Sequence, residues 1–449
     1  MMKPMKLHPS FALLGVLAYS PALAEQEFPK NLGSNWHHWR GPGANGISET
    51  AKPPLRWGED KNIRWKVPVE GKGMSTPIIW GDKLFLLTTL DTGKVDPSLP
   101  RPEDQPKRVF GITHPNTEHE FIVLCLDRKT GKTLWRRVAK RRIPHEGTHR
   151  DNDFASASPT TDGQRLYCWF GSAGLFCYDL HGKKLWERDL GKAVVGASLG
   201  EGCSPVVHKG RLVIVRDHRL QSAIEVLDAS SGRTLWKKNR EEGNAWATPA
   251  VVERAGKTQV ITTASGKVRS YDLDSGDILW ECAGLTGNAI PCPVVLDDTV
   301  YCMSGYKGFS LLALPLNERG DFSGTDKIRW KLDRGTPYVP SPVLYDGRLY
   351  FVQSNQAILT GVDARSGRIE IERTRLPELS GVYASLAGAN GRIYVVDRFG
   401  KTLVLKHANQ FEVLATNTLK DRFHASPALV GDALYLRGLR SLYCIAESR

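Results

Sequence analysis

Apolar residues along this chain come in short runs, many alternating with polar ones, and polar turns break each run before a helix-length stripe can form. The stretch SPVVHKG, RLVIVRD, AIEVLDASSG, RTLWKK within 204–238 sets the pattern. Its β-branched runs, separated by Gly, Asp and Lys turns, predict four antiparallel strands. Beyond the N-terminus, no window shows the 3.6-residue period of an amphipathic helix.

The strands repeat as a unit. DRKTGKTLW at 127–135, DASSGRTLW at 228–236 and DLDSGDILW at 272–280 each place Trp eight residues after Asp. DLHGKKLW at 179–186 is a shorter copy, and DARSGRIEI from Asp363 carries Ile371 at the Trp position. A second marker, a small residue followed by Pro, opens each unit: Thr76-Pro77, Ser158-Pro159, Ser204-Pro205, Thr248-Pro249, Cys292-Pro293, Ser341-Pro342 and Ser426-Pro427. From Pro159 to Pro342 these recur every 44 to 49 residues. A further unit starts near Val382, with Leu386 in place of Pro, and the first carries a polar insertion at about 91–119. Eight four-stranded units predict an all-β, eight-bladed β-propeller, because a ring hides its sheet edges without caps. The last unit lacks a fourth strand, and NIRWKVPVEG at 62–71 is a fourth strand with no partners before it. The N-terminal strand around Trp65 is therefore expected to complete the last blade.

The first residues read as an export signal: Lys3 and Lys6, the apolar run FALLGVLA, and a small-residue cleavage site ending at Ala24. The expected organisation is a signal peptide at 1–24, an N-terminal extension at 25–61 and the propeller at 62–449, in a periplasmic or extracellular protein. The apolar run is too short to span a bilayer, so no transmembrane segment is expected in the mature chain. Hydrophobic content of 41% and charged content of 24% suit one large globular domain. The net charge of +13 comes without a basic run interleaved with aromatics, which sets nucleic acid aside. Of eight cysteines, Cys168 and Cys177 are the best candidates for a disulfide, facing each other across a hairpin at 171–174. The alternative is that the cysteines are buried strand residues.

In a propeller, the links between successive blades gather on one face around the central channel. Residues just before each marker should converge there: His149 and Asp153, Glu201, Trp246, Asn288, Tyr338, Tyr383 and His424, with Asp151 beside them. Such a ring of acids, amides, aromatics and imidazoles in a concave mouth is a binding-site hypothesis. The alternative is a rim whose polar groups satisfy one another. HEGTH at 145–149 fits the His-Glu-x-x-His string, but Pro144 and Gly147 oppose the helix that zinc-protease chemistry needs. A polar loop is expected, with a metal site of His145, His149 and Asp151 as the alternative.

The Asp-x-x-Ser/Thr-Gly-x-x-x-Trp repeats resemble those of pyrroloquinoline quinone (PQQ) type propellers, a superfamily spanning quinoprotein alcohol dehydrogenases and the BamB-like propeller lipoproteins of outer-membrane assembly. WHHWRGPGANGISE, GEGCSPVV, NAIPCPVV, YCMSGYKG and RGTPYVPSP resemble segments of secreted PQQ-like bacterial propellers. The resemblance implies three roles: a binding propeller for a small polar ligand or a protein partner, a PQQ-dependent oxidoreductase of alcohols or sugars, or an envelope-assembly scaffold. For the second it implies PQQ with calcium. Glu201, Asn288 and Asp217 are chemically suited to the metal, but no motif places them. The adjacent Cys pair of such dehydrogenases and a Cys-x-x-Cys-His haem sequence are missing here. The leading expectation is thus a monomeric binding propeller whose partner is a small polar molecule or an envelope protein.

Overall fold

The computed structural model describes residues 31–106, 108–254 and 256–447. The expected signal peptide lies outside them. Eight antiparallel sheets of four strands follow one another along the chain, and the first strand of each lies beside those of its neighbours around a central channel. From Leu32 on, the described residues contain short 3-10 turns and no α-helix. Two sheets gain a fifth strand by parallel pairing: Gly320–Asp321 on the outer edge of blade 4, and Ile47–Ser48 on the inner edge of blade 7. Blade 8 is completed by Ile63–Pro68, which pairs antiparallel with the C-terminal strand Ser441–Ala446. The C-terminal strand is thereby covered on its outer edge.

The Trp repeat has a structural explanation. In each turn the Asp carboxylate accepts an amide: Asp127 from Thr130 (2.8 Å), Asp228 from Ser231 (2.9 Å), Asp272 from Ser275 (3.0 Å) and Asp363 from Ser366 (2.8 Å). The following Gly takes positive φ and lies under the Trp of the preceding blade. A Cβ at Gly131, Gly182, Gly232, Gly276 or Gly367 would come within 2.6–2.8 Å of Trp65, Trp135, Trp186, Trp236 or Trp330, respectively. Each of those indoles donates its N–H across the same interface, to the main-chain oxygen of Arg128, Leu180, Ala229, Leu273 or Ala364, at 2.7–3.3 Å. Asp shapes the turn, Gly makes room, and the Trp of one blade clasps the next. Trp135 and Trp280 are buried, as their position between blades leads one to expect, whereas Trp236 is only partly covered. Trp280 bonds Gln259 of its own blade and packs on Phe322.

The register separates the cysteine pair. Cys168 lies opposite Phe176, and Cys177 opposite Tyr167. A one-residue offset puts the two thiols on opposite faces of the sheet. Cys168 enters the core shared with blade 1 and Cys177 the core shared with blade 3, both as buried free thiols.

Part of the N-terminal extension packs against the inner strands of the ring. Trp36, fully buried, forms a two-way bridge with Ile79 on the inner strand of blade 1 (3.0 and 2.9 Å). The His37 carbonyl accepts from Thr161 N–H (3.1 Å) and the Thr160 hydroxyl (3.2 Å) in blade 2. Across the channel, Arg40 donates to the Leu386 carbonyl (2.8 Å) and the Pro342 carbonyl (2.7 Å) in blades 7 and 6. Gly46, at φ +84°, leaves space that Arg40 fills; a Cβ there would lie 2.2 Å from its guanidinium. Residues 36–48 therefore plug the channel. The chain then passes blade 7, where Trp57 N–H donates to Asn417 (2.9 Å), on its way to the closing strand.

Candidate functional site

Above the plug, the small residues of the unit markers form a hydrogen-bonded hoop. Thr76 N–H donates to Ser158 Oγ, Ser158 N–H to Ser204 Oγ and Ser204 N–H to Thr248 Oγ1. Thr248 N–H donates to the Cys292 thiol. Cys292 N–H continues to Ser341, Ser341 N–H to Ser385, Ser385 N–H to Ser426, and Ser426 N–H back to Thr76 Oγ1. The seven oxygen links measure 2.9–3.2 Å. The marker is Ser, Thr or Cys because each blade must accept one amide from its neighbour. Ser385 serves in the unit whose Pro is replaced by Leu386.

The hoop is the base of a mouth cavity of about 450 Å³. Trp39, from the plug, lines it, with Arg40 over the indole at 5.5 Å. Six of the eight expected residues line it: His149, Trp246, Asn288, Tyr338, Tyr383 and His424, together with Asp151. Trp246 is held by its indole N–H on the Gly200 carbonyl (2.7 Å) and its amide on Ala289 (2.9 Å). Asn288 sits at φ +58° and hydrogen-bonds the Tyr338 hydroxyl, while Tyr338 stacks on Tyr306 with centroids 4.9 Å apart. Asp151 forms an ion pair with Arg398, whose guanidinium lies 4.2 Å from the Tyr383 ring centre. Tyr383 meets His424 edge to face at 5.7 Å. Burial, with Arg398 nearby, lowers the His424 pKa to about 4, so this imidazole is neutral near pH 7. Although His424 lies against the Asp151 main chain, neither ring nitrogen reaches hydrogen-bond geometry with a protein group among the described residues.

Two expected residues face elsewhere. The Glu201 carboxylate accepts Ser172 N–H (2.7 Å) in blade 2, and a Cβ at Gly171 would lie 2.5 Å from it. Asp153 is buried, accepting from the Thr89 hydroxyl (3.2 Å) and Ala155 N–H (3.0 Å). Burial pushes its pKa up. Both line a separate pocket of about 50 Å³ with His145 and Glu146. His145 is spent on the Ala193 carbonyl (2.6 Å), away from His149 and Asp151. Among the described residues, no group of three or more His, Cys, Asp or Glu side chains could hold a metal ion.

The mouth also uses residues that the blade-to-blade links did not indicate. Phe110, at the tip of the blade 1 insertion, lines the cavity and meets His149 edge to face at 5.2 Å. Tyr306, Asn355 and the pairing residue Arg398 come from turns between second and third strands. Those turns share the mouth's face, which is the signal that would have found them.

PQQ is a flat tricarboxylate, and the residues here do not fit it with a metal. Trp39 and Trp246 could take a flat ring, but no Lys or Arg lines the cavity, and Arg398 is committed to Asp151. Glu201 faces blade 2, and Asp217 is held by two bonds to Arg240 (2.8 and 3.1 Å). All eight cysteines are separate buried thiols.

Fold and repeats define an eight-bladed PQQ-like propeller. The family described as outer membrane protein assembly factor BamB matches residues 119–373, more than half of the chain, and the chain belongs to it. The curated BamB of Francisella salina is 26% identical over 154 residues, which are 34% of this chain and 27% of that protein's length. Among solved structures, the quinohemoprotein alcohol dehydrogenase of Comamonas testosteroni aligns with a TM-score of 0.64 at 11% identity, covering 95% of this chain and 84% of its own. BamB of Moraxella catarrhalis aligns with a TM-score of 0.56 at 12% identity, covering 85% and 95%. A europium-containing methanol dehydrogenase gives 0.61 at 9%, covering 93% and 92%. At these identities the structural likeness concerns the fold.

Proposed function

We propose that this chain is an exported envelope propeller that binds a small polar ligand in its mouth. The observation that carries this reading is a cavity of about 450 Å³, closed below by the plug, that combines the aromatic side chains of Trp39, Trp246, Tyr338 and Tyr383 with the Ser and Thr residues of the hoop. Pockets of a few hundred Å³ with apolar walls and few convergent polar groups are typical of small-molecule sites. The export reading rests on the N-terminal sequence and on the family.

The test is mass spectrometry of small molecules released from the protein purified from its own host. A compound retained by wild type and lost from Trp246→Ala, with the fold intact, supports the reading. Equal retention by both proteins counts against it.

Family membership and one structural feature favour a second reading, an assembly scaffold. Val109 and Phe110 at the tip of the blade 1 insertion are 59% and 68% exposed beside the mouth. Large exposed apolar side chains at a concave rim suit a protein contact. A photocrosslinking residue at Phe110 would then capture one envelope protein reproducibly, whereas one at Ile278 on blade 4 would not.

A further inference from the structure

The hoop of marker residues has one hydrogen-bonding capacity left over. Each hydroxyl accepts an amide from the preceding blade. Among the described residues, no protein group accepts the hydroxyl protons of Thr76, Ser158, Ser204, Ser385 and Ser426. All five line the base of the mouth cavity, and they come from blades 1, 2, 3, 7 and 8. Trp39 lines the same cavity. Hydroxyls that already accept a hydrogen bond are polarised to donate, and buried donors left unpaired cost free energy. The base of the mouth is thus an arc of donors around an aromatic platform.

The remaining arc differs. At blades 5 and 6 the hoop residues Cys292 and Ser341 do not line the cavity, and Ile290, Val339 and the stacked pair Tyr306 and Tyr338 do. Charge is neutralised throughout. Asp151, the only acid of the lining, is paired with Arg398, and no lysine or arginine lines the cavity. A charged ligand would lose hydration here without gaining an opposite charge.

From these features we infer that the mouth binds a neutral carbohydrate ring, with Trp39 as its stacking platform. This rests on the proposed binding role and adds its ligand class. A sugar presents C–H faces to aromatic side chains and oxygens around its whole perimeter. The donor arc meets those oxygens on several sides at once. A flat heteroaromatic ring, with polar atoms on one or two edges, would leave most of the arc unpaired. His424, held neutral, adds no charge to the wall, and Trp246 and Tyr338 supply side walls. Trp39 is a specificity-determining residue that the N-terminal segment, not the propeller repeat, delivers.

The test titrates the intact protein with cellobiose, maltose, N-acetylglucosamine and methyl mannoside, followed by calorimetry and tryptophan fluorescence. Glucuronate, glucosamine and PQQ are the charged probes. Saturable binding of at least one neutral sugar is expected, with its charged counterparts weaker by about tenfold or more. Trp39→Ala should lose about tenfold in affinity and Trp39→Phe should restore most of it, as a stacking role requires and a merely structural one does not. Should Trp39→Ala fail to fold, the comparison of Trp246→Phe with Trp246→Ala carries the same test. The inference is overturned if no neutral sugar binds at 10-millimolar order of concentration, the weak end of ordinary affinities. It is equally overturned if a charged probe binds best, or if both alanine variants bind sugar as wild type does. A non-carbohydrate found among the host-retained molecules would sink this inference and leave the wider binding role standing.

Discussion

Gly232 shows how closely single residues are fitted at the blade interfaces. Its φ of +70° is a conformation that residues with a Cβ avoid, and that Cβ would lie 2.7 Å from Trp186. Gly232→Ala is expected to cost about 2 kcal/mol or more, the sum of backbone strain and a displaced indole, read by denaturant titration. Trp135→Ala should cost roughly 3–5 kcal/mol, the range for large aromatic truncations in cores. Trp236→Ala should cost less, because Trp236 is only partly covered. The buried histidines make a separate prediction about pH. Burial lowers His37 and His424 to about 4 and His38 to about 3, from an ordinary 6.5. Their contribution to stability is complete above pH 6.5 and is lost as pH falls toward 4, because the unfolded chain takes up protons there and the folded chain does not. The melting temperature should fall between pH 7.5 and pH 5, and fall less in His38→Gln. An equal fall in both proteins would remove His38 from the account.

At the scale of elements, the closing strand and the plug can be separated by truncation. A chain starting at residue 72 lacks Ile63–Pro68 and leaves the Ser441–Ala446 edge bare, so it should not form a stable ring. A chain starting at residue 50 keeps that strand and loses the plug with Trp39. It should fold with a lower melting temperature and bind no ligand at the mouth. Blades and closure were legible in the sequence because strand alternation, turn residues and the Trp spacing are local signals. The plug was not, since residues 36–48 have no periodicity and bond to inner strands of blades 1, 2, 6 and 7. The cysteine pair is illegible for a related reason: the sequence marks the hairpin but not its register, which offsets Cys168 from Cys177 by one residue. In the candidate site the chain position of the ring was readable and the direction of each side chain was not. Asn288 and Glu201 both precede a marker, yet Asn288 turns to Tyr338 in the mouth and Glu201 to Ser172 of blade 2.

On the scale of the whole molecule, the two ends of the chain meet in one sheet, so the most distant parts of the sequence must find each other before the ring exists. Contacts of such separation slow folding. Refolding from denaturant is expected to include a late phase, which should vanish in a chain ending before Ser441. The plug adds an order of events to this. It is synthesised first, lies inside the ring, and is tethered by the very strand that shuts the ring around it. Docking 36–48 on the inner strands of blades 1, 2, 6 and 7 carries the attached closing strand toward blade 8. Seating the plug is therefore expected to favour the shutting of the ring, as a cork on a short cord is never far from its bottle.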